Sequence, residues 1–187
     1  MKTVSTVILF IVLLIYGLAV RTIAQNLGRG SAAQTELIGT WRVVSIGTVR
    51  PNGQVVTEWM GSNPTGTLIY DRAGRMSVQF MRDPRATWKA AGPSPAHSPD
   101  EIVDAASAAE KAAAFDAYYA YYGEYDVNKK DHVVRHHVEG SLWPPEIGVT
   151  YERHFDVSGN RLAIVTAPFK FKGEERYNRI VLQRISN

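Results

Sequence analysis

The stretch Gly39-Thr40-Trp41-Arg42-Val43-Val44-Ser45 decides the fold, because it is the first β-like run of the chain. Trp41, Val43 and Ser45 are two residues apart, and side chains at that spacing lie on the same face of a β-strand. Pro51-Asn52-Gly53 follows as a turn, since these residue types favour turn conformations. The segment therefore predicts a strand over Thr40–Gly47 that is followed by a tight connection.

Short β-like runs separated by turn residues make up most of the remaining chain. Turn signals such as Asp71-Arg72-Ala73-Gly74 and Ser158-Gly159-Asn160 recur about every ten residues, which is typical of β-barrels and β-sandwiches. The protein is thus expected to be mainly β. The predicted strands are Thr40–Gly47, Gln54–Met60, Thr65–Asp71, Gly74–Arg82, Gly123–Val127, Asp131–Gly140, Gly148–Val157, Arg161–Ala167 and Arg176–Ile185.

One helical insert interrupts the strands. Ser98-Pro99-Asp100-Glu101 combines a capping serine, a proline at the first helical position and a glutamate three residues after the cap. Good helix formers continue to Tyr122, and Gly123 is suited to end the helix. We therefore predict a helix over residues 99–122. Its aromatic face would pack over an open end of a barrel or form a lid that touches a ligand; this face comprises Phe115, Tyr118, Tyr119 and Tyr122.

The N-terminal segment has the pattern of a signal peptide. Lys2 precedes the apolar run Val7–Val20, and small residues follow up to Ala24. We expect cleavage near Ala24, export to the periplasm or the medium, a flexible leader over residues 25–35 and a domain over residues 36–187. The apolar run is shorter than the roughly 20 residues of a membrane span. An uncleaved N-terminal membrane anchor is the alternative.

Charge and composition limit the classes of function. Removal of residues 1–24 takes away Lys2 and Arg21, so 21 basic residues become 19 against 18 acidic ones. This balance argues against nucleic acid as a partner, which would require a concentrated basic face. The chain contains no cysteine, which excludes disulfides and thiol catalysis. A membrane would be a partner only if the N-terminal segment stays uncleaved, and the sequence does not define the oligomeric state.

The chain resembles the bacterial and fungal lipocalin-like domain family over roughly residues 36 to 185. The family loop usually contains Asn-Pro where this chain has Trp143-Pro144-Pro145. The resemblance implies an up-and-down antiparallel barrel of eight or nine strands around a small-molecule cavity, and no established reaction. It rests on Gly39-Thr40-Trp41-Arg42-Val43-Val44-Ser45, Asn63-Pro64-Thr65-Gly66-Thr67-Leu68-Ile69-Tyr70, Gly74-Arg75-Met76-Ser77-Val78-Gln79, Tyr118-Tyr119-Ala120-Tyr121-Tyr122-Gly123-Glu124-Tyr125 and His136-His137-Val138-Glu139-Gly140-Ser141-Leu142-Trp143-Pro144.

The same resemblance implies how the barrel closes at one end. Trp41 would point inward beneath the cavity, and Arg184 on the last strand would stack on its ring. Alternation agrees with this placement, because Ile180, Leu182 and Arg184 share one face of the last strand.

Alternation also selects the residues that face the interior. On one hairpin the more apolar faces carry His136 and, on the next strand, Tyr151 and Arg153. These polar residues are either satisfied core groups or a patch that orients a carboxylate or enolate in an apolar pocket. The predicted ligand-binding residues are His136, Arg153, Tyr151, Met76, Val78 and Phe80.

Three functions remain open at this point. The first is a protein that binds a small hydrophobic or amphipathic, fatty-acid-like molecule. The second is a cofactor-independent isomerase or cyclase in which His136 shuttles a proton and Arg153 stabilises an oxyanion. The third is a structural envelope protein with a filled barrel.

No metal or cofactor is expected for any of these functions. His132 and His136 would lie roughly 13 Å apart along a strand, and His136 and His137 would point to opposite faces. The sequence has no nucleophile elbow, phosphate-binding loop or dinucleotide fingerprint.

Overall fold

The computed structural model describes residues 32–57, 59–85, 87–88 and 99–186. The predicted signal peptide, its cleavage site and the helix cap at Ser98 lie outside these residues. Residues 32–35 of the predicted flexible leader belong to a short helix. Among the described residues, no helix combines the length and apolar character needed to cross a membrane.

Strands dominate the described residues, as the sequence predicts. In chain order the elements are α1 (Ala32–Leu37), β1 (Gly39–Val49), β2 (Val55–Thr57), β3 (Thr65–Tyr70), β4 (Arg75–Met81), α2 (Pro99–Ala105), α3 (Ala108–Asp116), β5 (Tyr118–Asn128), β6 (Val133–Ser141), a 3₁₀ turn (Pro144–Glu146), β7 (Thr150–Ser158), β8 (Arg161–Thr166), β9 (Phe169–Phe171) and β10 (Glu174–Ser186).

Eight of the strands form a closed antiparallel barrel. The strands β1, β3, β4, β5, β6, β7, β8 and β10 are neighbours in that order, and β1 also pairs with β10. The short strands β2 and β9 extend the sheet beside β1 and β10. The predicted up-and-down barrel is therefore confirmed, although β9 was not predicted and β2 is shorter than the predicted strand.

One end of the barrel is closed by the predicted pair. Trp41 is fully buried, and the guanidinium carbon of Arg184 lies 3.9 Å from its ring centre. The indole Nε1 donates to the carbonyl of Leu37 at 2.7 Å, while Arg184 donates to the carbonyls of Ile38 and Glu36. Tight turns join β3 to β4, β5 to β6 and β7 to β8 at this same end. Helix α1 and the stacked pair form the floor.

The longer connections all lie at the opposite end, because the strands alternate in direction. They carry β2, the helices α2 and α3, the 3₁₀ turn and β9. Interior side chains between the two ends form one core cluster that includes Val78, Phe80, Leu162 and Leu182. The predicted inward faces of β4, β6, β7 and β10 are thereby confirmed.

The predicted helical insert is shorter than expected and divided in two. Helix α3 begins after Ser107, which forms a capping box with Glu110, and it ends at Asp116. Residues from Tyr118 onward belong to β5 and pair with β4. Tyr119 is buried in the barrel, whereas Tyr122 is 54% exposed on the outside. The predicted helical aromatic face is therefore wrong, because pairing with β4 outweighs the local helical spacing.

A bulge changes the predicted face of one residue in β1. Trp41 and Val43 point inward as expected, but the register shifts between Val43 and Ser45. Ile46 consequently takes the inward position opposite Ile180 and is only 2% exposed. An extra residue in one strand reverses the alternation beyond it.

Candidate functional site

The barrel encloses a cavity of about 670 Å³ that is partly open to solvent. Small-ligand sites occupy about 300–1,000 Å³, so this space suits one small molecule. Most of its wall is apolar or aromatic, including Ile46, Leu68, Val78, Phe80, Ile164 and Ile180. The barrel is thus not filled by its own side chains, which argues against the filled structural barrel.

Five of the six predicted ligand-binding residues line the cavity. They are His136, Arg153, Tyr151, Val78 and Phe80. Met76 does not line it. Met76 points inward and is buried, but it lies opposite Tyr70 in the ladder, one step nearer the floor than Leu68 and Val78. Met76 therefore has the predicted inward face but lies below the cavity, and its contact with a ligand stays a prediction.

Arg153 is a buried cation with no carboxylate partner among the described residues. It projects from β7 into the interior and is 9% exposed. The guanidinium carbon lies 4.6 Å from the centre of the Tyr151 ring. The Nε atom is buried without a hydrogen-bond partner, and no described carboxylate is within ion-pair distance of this guanidinium. The cation–π contact therefore leaves part of the charge uncompensated.

His136 is held between two tyrosine hydroxyls. Its Nε2 lies 2.6 Å from the hydroxyl of Tyr70, and its Nδ1 lies 2.8 Å from the hydroxyl of Tyr121. The side chain is 1% exposed. Burial, together with the positive charge of Arg153, holds the pKa of His136 well below its usual range. The imidazole is therefore neutral near pH 7, and both of its nitrogens already have partners.

Glu146 brings a negative charge to the mouth of the cavity. It belongs to the 3₁₀ turn, and its Oε1 accepts from the hydroxyls of Tyr119 at 2.9 Å and Tyr151 at 2.8 Å. Its Oε2 accepts from the hydroxyl of Ser141 at 2.6 Å. Burial and the bond to Glu146 raise the pKa of Tyr151 to about 12. Three hydroxyls thus satisfy the carboxylate and fix the loop to the barrel wall.

Tyr151 connects the two charges of the cavity. Its ring face contacts Arg153, and its hydroxyl donates to Glu146. An aromatic cluster covers the region nearer the mouth. The centre of the Tyr119 ring lies 4.5 Å from the centre of the Trp143 ring and 5.6 Å from that of the Trp59 ring. The arrangement places a cation deep in the cavity and a hydrogen-bonded anion with aromatic rings around the entrance.

The predicted set of site residues omitted Tyr70, Tyr121, Tyr119 and Glu146. The tyrosines at positions 119, 121 and 125 have the two-residue spacing of inward residues on a strand. A predicted strand that started at Tyr118 would therefore have identified Tyr119 and Tyr121 as interior residues. Tyr70 lies on the inward face of β3 with Leu68. Glu146 lies in the loop that departs from the family pattern, where no alternation applies.

Within the described residues, no group of three or more histidine, aspartate or glutamate side chains converges on a possible metal position.

Residues 38–185 match the model of a family described as a lipocalin-like domain. Neither a curated protein nor a solved structure is significantly similar to the chain.

Proposed function

Because the chain belongs to the lipocalin-like domain family, we propose that it binds a small amphipathic molecule, with a fatty-acid-like anion as the best fit. The observation that carries this proposal is Arg153, a buried cation that lies in a largely apolar cavity and has no carboxylate partner in the described part of the chain. The ligand's head group would pair with Arg153, and its apolar part would lie against the aliphatic and aromatic wall.

The charge of Arg153 supports an anionic head group. Arginine stays protonated in proteins, so burial removes it from water without neutralising it. A carboxylate can accept two parallel hydrogen bonds from the guanidinium fork, and these charge-assisted bonds are the stronger kind. Pairing would offset the desolvation of both groups, which a neutral ligand of the same shape cannot do.

The composition of the wall supports an apolar body for the ligand. Burial of apolar surface contributes roughly 25 cal/mol per Å², so a hydrocarbon chain that leaves water gains free energy along its whole length. The aromatic residues at the mouth, Trp59, Tyr119 and Trp143, offer flat surfaces to the part of the ligand nearest solvent.

A titration with matched probes tests the proposal. A fluorescent fatty-acid analogue and the corresponding alcohol are titrated into the parent protein, Arg153→Ala and Arg161→Ala, the last being an exposed cation on β8 that serves as control. A lost hydrogen bond to a charged group corresponds to about a 10- to 100-fold weaker binding. We expect this loss for the acid with Arg153→Ala only. Equal losses for acid and alcohol would remove Arg153 from the site, and no saturable binding of either probe would overturn the proposal.

The alternative is a cofactor-independent isomerase or cyclase in which His136 moves a proton. It receives less support, because both nitrogens of His136 are hydrogen-bonded to Tyr70 and Tyr121. A base that takes a proton from a ligand must reach the ligand within hydrogen-bond distance. His136 therefore contributes to the cavity wall, but neither of its nitrogens is free to bond a ligand.

We further propose that the protein is exported after cleavage near Ala24. The support is the signal-peptide pattern of residues 1–24. N-terminal sequencing of the protein recovered from the cell envelope or the medium is expected to start at Gln25. A protein that keeps Met1 in the membrane fraction would instead favour the N-terminal anchor.

A further inference from the structure

We propose that Tyr121 is a second head-group donor beside Arg153, and that Tyr70 and His136 hold its hydroxyl proton toward the cavity. This inference rests on the proposed function and specifies the class of ligand: an acceptor-only, anionic oxygen such as a carboxylate. Tyr70 and His136 then act as positioning residues, because Tyr70 does not line the cavity and both nitrogens of His136 are already hydrogen-bonded.

The direction of the hydrogen bonds follows from the surroundings of Tyr70. Its hydroxyl is buried, does not line the cavity and has His136 Nε2 as its described hydrogen-bond partner. A buried hydroxyl that does not donate its proton loses free energy comparable to a missing hydrogen bond. Tyr70 therefore donates to Nε2, because no other described acceptor is within reach.

The tautomer of His136 follows from this bond. A neutral imidazole carries one proton, so an accepting Nε2 requires the proton on Nδ1. Nδ1 lies 2.8 Å from the Tyr121 hydroxyl and must donate to its oxygen. The hydroxyl proton of Tyr121 consequently has to point elsewhere.

The cavity is where that proton can go. Tyr121 lines the cavity, unlike Tyr70. Arg153 also lines the cavity, and both side chains contact the ring of Tyr151: the guanidinium carbon lies 4.6 Å from its centre, and the centre of the Tyr121 ring lies 6.2 Å from it. The positive charge of Arg153 accordingly opposes the rise that burial causes in the pKa of Tyr121. A proton directed at this cation would be repelled, whereas one directed at the open space can meet a ligand oxygen. Arg153 and Tyr121 therefore form two adjacent donors for one anionic group.

Substitutions to phenylalanine separate the roles, because each removes one hydroxyl and keeps the ring. Tyr121→Phe removes the proposed donor, and Tyr70→Phe removes the group that fixes the tautomer. Tyr125→Phe is the matched control: Tyr125 is a buried tyrosine whose ring centre lies 4.6 Å from that of Tyr70, and its hydroxyl donates to the carbonyl of Asp71 rather than to His136.

The first measurement is the ¹⁵N spectrum of His136 in the ligand-free protein. We expect the Nδ1–H tautomer in the parent and in Tyr125→Phe, and loss of that single tautomer in Tyr70→Phe. A purely structural role of Tyr70 would leave the tautomer unchanged. An Nε2–H tautomer in the parent would overturn the inference regardless of any binding result.

The second measurement uses the fatty-acid analogue and its alcohol. Tyr121→Phe should bind the acid about 10- to 100-fold more weakly. Tyr70→Phe should show a smaller loss, although it cannot touch the ligand, and Tyr125→Phe should match the parent. If Arg153→Ala weakens the acid and Tyr121→Phe does not, the inference is wrong and the proposed function stands. If the parent binds neither probe, the proposed function is wrong, and so is the inference that Arg153 and Tyr121 bind one anionic group.

Discussion

Arg184 stacks on Trp41 across the seam where the barrel closes, with the guanidinium carbon 3.9 Å from the ring centre. The two residues are direct partners in the β1–β10 ladder. The indole also donates to Leu37, and the guanidinium donates to two carbonyls just before β1. One pair of side chains therefore joins the first strand, the last strand and helix α1.

Replacement of Trp41 by alanine should lower the free energy of unfolding by about 3–5 kcal/mol, because it removes a large buried ring. Arg184→Lys should cost less but measurably, since lysine keeps the charge and loses the planar stacking group. Urea denaturation measures both, with Arg161→Lys as an exposed control on β8. If both floor variants are as stable as the parent, the pair does not close the barrel.

The stability of the protein should fall as the pH is lowered through the range below about 6.5, because His136 stays neutral in the folded state. The unfolded chain binds a proton there and the folded chain does not, so lowering the pH favours unfolding by up to about 1.4 kcal/mol per pH unit. His136 is bonded to Tyr70 and Tyr121, and the positive charges that disfavour its protonated form are those of Arg153 and of His137. Denaturation of the parent and His136→Gln across this range measures the difference. Parallel pH curves for the two proteins would contradict a neutral buried His136.

Gly123 should tolerate no side chain, whereas Gly140 on the neighbouring strand β6 should tolerate alanine. A Cβ at Gly123 would lie 1.9 Å from the backbone carbonyl oxygen of His137, which cannot move without separating β5 from β6. A Cβ at Gly140 would instead meet the ring of Tyr122, which is exposed and can rotate away. We expect Gly123→Ala to cost about 1–3 kcal/mol in unfolding free energy and Gly140→Ala clearly less. Equal effects would mean that the strands separate easily at this point.

A ligand in the cavity should change the fluorescence of two tryptophans. Trp59 and Trp143 line the cavity, Trp41 lies in the floor, and the Trp88 indole donates to the carbonyl of Glu110 in α3. The signal change on titration with a non-fluorescent fatty acid should shrink in Trp59→Phe and Trp143→Phe. Trp88→Phe should retain the full change. A change lost only in Trp88→Phe would place the ligand outside the barrel.

Local, repetitive patterns in the sequence predicted a mainly β fold, and the resemblance to the lipocalin-like domain family implied that the strands form a barrel. Alternation along the strands and regular turns defined most strands and their inward faces, including those of His136 and Arg153. At the start of β5, the sequence pattern fits both a helix and a strand. Phe115, Tyr118, Tyr119 and Tyr122 fit a helical period, while Tyr119, Tyr121 and Tyr125 fit a strand. Only the pairing of Tyr119 with Phe80 and of Tyr121 with Val78 decides between the two patterns.

The alternation of side chains along a strand does not define how deep a residue lies along the barrel axis. Met76 and Val78 share a face, yet only Val78 reaches the cavity. The hydrogen-bond partners of the polar residues could not be predicted from the sequence either. Tyr70 and His136 are 66 positions apart in the chain, and the register of four strands brings them into contact. Glu146 reaches the site from a loop whose path depends on three hydroxyls supplied by the strands.

The closure of the barrel has a consequence for the protein in crowded or concentrated solutions. A strand with one unpaired side can recruit another chain and start aggregation. Within the described residues, β2 and β9 are the strands at the ends of the sheet order, and each is three residues long. Lys170 and Lys172 alternate with Phe169 and Phe171 at β9, which adds charge repulsion between copies. We expect the folded protein to resist edge-to-edge aggregation and to lose that protection only when β1 and β10 separate.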